Sequence, residues 1–184
     1  AMRFLIERFG SLGVKDPGDP EHGLDLAAIA ADFAKEFKVY KTSAKSAGNL
    51  SYDKIPCVNH PIFKGKDVNY DPREVYVHDL FRSRGTYNLF HEFYHELVKA
   101  LAAFGVSRNV YCVNVDAVIA VILLKMLWKP FVAGEIDDRF LEYGAFTTFV
   151  YGRVAGDAAE IEDHLNRGRN MDTRTAASKC QFVN

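Results

Sequence analysis

The chain has 184 residues, 48% of them hydrophobic and 26% charged, with a formal net charge of −1. This is long enough to bury a core without disulfide or metal staples, and the balance is globular rather than disordered or fibrous. Near-neutrality lacks the basic footprint that binding to a phosphate backbone requires, which argues against nucleic acid as a partner.

Ala1 ahead of Met2 reads as an expression scar, and no basic-then-apolar signal segment follows it. A short helix is predicted over 3–9, then a loop over 10–23, where Gly, Pro and Asp favour turns. Leu26, Ile29, Ala30, Phe33 and Phe37 recur at helical spacing, with Asp25, Asp32 and Glu36 between them, and predict a helix over 24–38. Between residues 35 and 67 seven lysines face three acidic residues, a locally basic segment that a phosphate-bearing ligand could use.

Asp71-Pro72-Arg73-Glu74 combines a capping residue, a proline at the first helical position and an acid three residues after the cap. Together they predict a helix running to about Arg84. Leu89, Phe90, Phe93, Leu97, Leu101 and Phe104 carry the helical period over 87–104, up to Gly105 as a left-handed stop. Two more helices are predicted over 115–128 and 137–165, separated by Lys129-Pro130 and Gly134, with a break expected near Gly152 or Gly156.

The apolar run 117–128 contains Lys125 and falls short of the roughly 20 residues of a membrane helix. No alternating strand pattern and no internal repeat occurs, so the expected class is all-α, as one domain over 1–184 with a polar tail from 166. Cys57, Cys112 and Cys180 are odd in number and form no Cys-x-x-Cys pair. They fit neither a disulfide framework nor a cysteine zinc site, and they point to a reducing cytoplasm.

His91-Glu92-Phe93-Tyr94-His95 is an H-E-x-x-H pattern on a predicted helix. That spacing sets two imidazoles on one face, where they could hold zinc with Glu92 as general base of a hydrolase. Glu96 follows directly, and Val98 and Leu101 stand where the longer metzincin pattern has glycine and a third histidine. The other reading of these residues is a pair of surface histidines on an amphipathic helix.

Four further segments occur in order. Lys54-Ile55-Pro56-Cys57-Val58-Asn59-His60-Pro61-Ile62-Phe63-Lys64-Gly65-Lys66-Asp67 is followed by Asn114-Val115-Asp116-Ala117. Phe149-Val150-Tyr151-Gly152-Arg153-Val154-Ala155-Gly156 and Arg169-Asn170-Met171-Asp172-Thr173-Arg174 complete the series. The first resembles the citrate synthase segment in which Ile-Pro-Gly-x-Gly-His precedes a basic run ending in Asp-Pro-Arg. The others resemble that family's Asn-Val-Asp signature, its Phe-x-x-x-Arg-x-x-Gly helix and its terminal arginine loop. The resemblance to the citrate synthase and citryl-CoA lyase family covers residues 54–174.

The resemblance implies an all-α fold like the family's small domain and C-terminal helices. It also implies carbon-carbon bond formation or cleavage between a CoA thioester and a keto acid of the oxaloacetate or citrate type. Asp116 would be the general base at the thioester methyl, strengthened by an apolar surround. His60 would polarise the ketone oxygen. Arg153, Arg174 and, with a short insertion after Asp67, Arg73 would hold substrate carboxylates bidentately. Lys64 and Lys66 would meet the phosphates of coenzyme A, which enters as substrate; no metal or resident cofactor is implied.

The chain departs from the family in lacking the Gly-Pro-Leu-His-Gly-Gly type loop whose histidine stabilises the enolate, and the large helical domain that precedes it. Asn59 replaces a glycine, and Asp157 and Glu160 replace a tryptophan and a histidine. Expected partners are therefore small-molecule substrates together with a second copy or a complementary catalytic subunit, with neither nucleic acid nor membrane. A non-catalytic module binding CoA or a dicarboxylate is the alternative within this fold.

Overall fold

The computed structural model describes residues 1–59, 66–106 and 111–167. Six helices and two short strands are found among them: α1 (Met2–Phe9), α2 (Leu26–Ser46), β1 (Val68–Tyr70), α3 (Pro72–Ser83), α4 (Leu89–Ala103), β2 (Tyr111–Val113), α5 (Val115–Val132) and α6 (Asp138–Arg167). The chain divides into two compact units, Ala1–Ala145 and Phe146–Asn184.

Helix α4 is the centre of the first unit because its apolar residues are not confined to one stripe. Leu89, Phe90, Phe93, Tyr94, Leu97, Val98 and Leu101 are all fully buried. Each such large side chain contributes about 1.5–3 kcal/mol relative to exposure. Leu5 and Phe9 of α1, Ala30 and Ala34 of α2, and Val121, Leu124 and Trp128 of α5 share that core. Small Ala30 and Ala34 let α2 lie close along α4, and Phe9 packs edge-on against Phe93 with centroids 4.9 Å apart. No helix among the described residues is long and apolar enough to cross a membrane.

The mostly helical expectation holds, and the differences have physical causes. The loop over 10–23 is pinned rather than loose: Trp128 Nε1 donates to the Val14 carbonyl (2.7 Å), and Leu89 N donates to the Pro17 carbonyl (2.9 Å). Helix α2 outruns its apolar pattern by eight residues, to Ser46. Its last turns are tied down by Lys38 and Lys41, which donate to the carbonyls of Phe104 (2.8 Å) and Val106 (2.7 Å).

Helix α5 continues through Pro130 to Val132. The proline's missing N–H deprives only the carbonyl four residues back, at exposed Met126, where water can replace it. Helix α6 runs without a break past Gly152 and Gly156.

The two strands depart from the all-α expectation. Each has three residues, too few to display alternation. They pair in parallel, Val68 with Tyr111, Asn69 with Cys112 and Tyr70 with Val113. On its other side β2 is met by the segment before His60: Cys112 N donates to the Val58 carbonyl (3.0 Å) and Asn114 N to the Cys57 carbonyl (3.1 Å).

Candidate functional site

Because the two strands are parallel, the helices they lead into start at the same end of the sheet. β1 runs into α3 through Asp71 and β2 runs into α5 through Asn114, so two helix N-termini open side by side. Asp71 is fully buried, and its Oδ1 accepts from Arg73 N at 3.0 Å, the capping bond that the sequence predicts. Its Oδ2 accepts from Val115 N, in the first turn of α5, at 3.3 Å. One carboxylate therefore serves both helix starts, where unpaired N–H groups and the helix dipoles favour negative charge.

Arg73 closes a fork on the same carboxylate, Nε to Oδ1 at 3.0 Å and Nη2 to Oδ2 at 2.7 Å. Those bonds raise the guanidinium pKa further, and the charge of Asp116 adds to the effect. Asp116 is half-buried in the first turn of α5. It is not the cap: Asn114 is, accepting from Asp116 N through its side-chain oxygen at 2.9 Å. The Asn114 side chain also donates to the Asn59 carbonyl at 3.2 Å, so the residue before His60 is bonded to the start of α5.

Cys57 sits in the left-handed region, φ 62°, as the only non-glycine residue to do so among those described. That conformation costs any residue but glycine strain energy. Burial pushes the Cys57 thiol up to about 11.

Of the residues singled out from the sequence, Asp116 and Arg73 come together in this way. Lys66 is exposed at the entry to β1, its carbonyl accepting from the Asn69 side chain at 2.7 Å. Arg153 belongs to the second unit and is exposed, its guanidinium 5.5 Å from the centre of the Phe149 ring. His60, Lys64 and Arg174 lie outside the described residues.

The H-E-x-x-H pattern requires a correction. The reading of two surface histidines fails, since the His91 side chain is 1% and that of His95 12% exposed. Asn88 sets the position of His91. Its side chain caps α4 by accepting from Phe90 N (3.1 Å) and His91 N (3.3 Å), while its amide donates to the Val121 carbonyl (3.0 Å).

Facing these histidines is Glu74 of α3. It does not serve merely as an acid in a first helical turn; it turns inward, and its Oε1 accepts from His91 Nε2 at 2.7 Å and His95 Nε2 at 2.6 Å. Burial would push the Glu74 carboxyl up, but the two histidine bonds outweigh it and hold the group at about 2. Burial lowers His91 and so favours its neutral form, against the opposing pull of Glu74. Beside them His78 Nε2 meets Glu92 Oε1 at 2.9 Å, and the His78 ring stacks on His95 with centroids 4.2 Å apart. Glu74 and His78 carried a signal that sequence reading passed over: they are four apart on α3, matching His91 and His95 four apart on α4.

No protein-family model, no curated protein and no solved structure matches this chain.

Proposed function

We propose that this chain is a citrate synthase-like protein acting on a CoA thioester and a keto acid of the oxaloacetate or citrate type. The reaction is making or breaking a carbon-carbon bond. The observation that carries the reading is the convergence of three separated segments, 57–59, 71–73 and 114–116, at the paired starts of α3 and α5. Residues 57–59 and 114–116 belong to two of the four segments that bear the resemblance, and 71–73 joins them only with the insertion after Asp67; nothing in their spacing along the chain requires them to meet.

In this reading Asp116 is the base that takes a proton from the thioester methyl group, and His60, which follows Asn59, polarises the ketone. Arg73, which is forked on Asp71, would turn part of that fork to a substrate carboxylate. The left-handed Cys57 gives the approach to His60 the backbone form of the family's glycine. Arg153 and Arg174 would be the further carboxylate contacts, and Lys64 and Lys66 the phosphate contacts.

Without the enolate-stabilising histidine loop, the lone chain should run on the order of a hundredfold or more below a complete enzyme, the usual cost of losing one oxyanion donor. Turnover would then require a complementary chain.

Isothermal titration with oxaloacetate, citrate and coenzyme A tests this, repeated on His60→Ala and Arg153→Ala. Saturable binding weakened tenfold or more by the substitutions is the expected result. No binding of any of the three would sink the reading.

A further inference from the structure

The buried cluster between α3 and α4 has no part in that chemistry, and its construction is unusual. Two histidines share a single carboxylate oxygen, while the other oxygen, Glu74 Oε2, has no hydrogen-bond partner among the described residues although it is fully buried. Leaving such an atom unpaired is costly, and an orphan of this kind asks for an explanation. One donor atom each from Glu74, His91 and His95 lies within 4.8 Å of the others.

We propose that Glu74, His91 and His95 form a closed structural site for a divalent transition-metal ion of the zinc class, which locks α3 against α4. Imidazole donors select this class over calcium or magnesium. Two Nε2 atoms and the Glu74 carboxylate, chelating through its narrow bite, make a distorted four-coordinate site without water, and the orphan Oε2 gains a partner. Bonds of about 2.0–2.2 Å set donors of different residues about 3.3 Å apart. The 2.6 and 2.7 Å hydrogen bonds therefore have to open by roughly 0.6–0.7 Å, within reach of side-chain rotation.

Charge works in the same direction: the carboxylates of Glu74 and Glu92 face the site, the Arg82 guanidinium acts on Glu92 from outside it, and His78, the ring of Tyr70 stacked on His95 and the Cys112 thiol complete the surroundings. There is an opposing term: binding through Nε2 moves the His91 ring proton to Nδ1, a buried atom that also lacks a described partner. The metal bonds must exceed that cost.

The site differs from the hydrolase suggested by the H-E-x-x-H pattern. Such an enzyme keeps one metal position open to water and aims the glutamate of the motif at it. Here Glu92 is engaged by His78, Glu74 is fully buried and His91 is 1% exposed. The metal would hold structure rather than activate water.

The test uses the full chain, stripped with a chelator and titrated with Zn²⁺ and separately with Co²⁺. The expected result is one equivalent bound, a rise in unfolding temperature, and a Co²⁺ visible spectrum of tetrahedral intensity. Glu74→Gln and His95→Gln should weaken binding at least tenfold, and Glu92→Gln should leave it within about threefold. If a variant fails to fold, the stoichiometry and the Co²⁺ spectrum of the unaltered chain decide. Absence of saturable binding to the folded chain overturns the proposal, as do binding unaffected by Glu74→Gln and His95→Gln and an octahedral Co²⁺ spectrum.

Discussion

Asp71 and Val115 stand 44 residues apart, yet the carboxylate of the first accepts the amide of the second at 3.3 Å. Strand pairing makes this possible, because β1 and β2 end level and deliver both helix starts to one place. Asp71→Ala removes a cap, a bond between helices and the fork to Arg73 together. Since a cap alone is worth about 1 kcal/mol and charge-assisted bonds add more, the expected loss is roughly 2–4 kcal/mol. Asp71→Asn, which keeps the cap but sets an amide against one donor, should cost about half as much. Urea unfolding of the two variants measures both values, and an Asp71→Asn variant as stable as the parent would show that the carboxylate's charge is irrelevant here.

Cys57 makes a sharper prediction because its two substitutions should diverge. At φ 62° a side chain pays roughly 1–2 kcal/mol that glycine does not. Cys57→Gly recovers that strain but gives up the contact of a partly buried sulfur with the core, so stability should stay within about 1 kcal/mol of the parent. Cys57→Val, β-branched, should lose roughly 2 kcal/mol or more. Thermal melts of the pair decide the matter.

The same thiol sets an alkaline limit. Burial raises Cys57 from 9.0 to about 11, and Cys112 likewise. Below pH 9 both thiols are protonated whether the chain is folded or not, and their contribution is fully present. Between pH 9 and 11 the unfolded chain releases protons that the folded one keeps, so stability falls as pH rises, by roughly 2 kcal/mol per thiol at the upper end. The expected slope should shrink in Cys57→Ala. Peptide-resolved alkylation at pH 8 should modify Cys57 slowly while the chain is folded and rapidly in denaturant.

Asn88 holds α4 in place through both ends of its amide, capping Phe90 and His91 and reaching Val121 of α5. Asn88→Ala should therefore cost roughly 2 kcal/mol, more than an exposed cap, because a buried hydrogen bond to the Val121 carbonyl of α5 is lost together with the cap. Asn88→Ser, able to cap but too short to reach α5, should fall between. A loss below about 0.5 kcal/mol for Asn88→Ala, measured by chemical denaturation, would refute this account.

Much of the helical frame was legible because its signals are local. The start of α3 follows from Asp71-Pro72, and the end of α4 from Gly105, whose φ of 56° is the left-handed stop that its position predicts. What escaped depends on partners far along the chain. The length of α2 rests on lysines bonded to carbonyls 65 and 66 residues away. The strands owe their existence to each other, and the burial of His91 to an acid on a different helix. A spacing can announce that two histidines share a face; it cannot announce what covers that face.

The chain contains a single tryptophan, and its indole is fully buried, hydrogen-bonded to Val14 in the loop that precedes α2 and 5.1 Å from the ring of Phe90. Its fluorescence is thus a built-in optical gauge of that loop. If the loop lifted while the helices stayed folded, the emission would shift to the red with helical circular dichroism unchanged. Following both signals through one titration would separate a local opening from loss of the fold, without any added label.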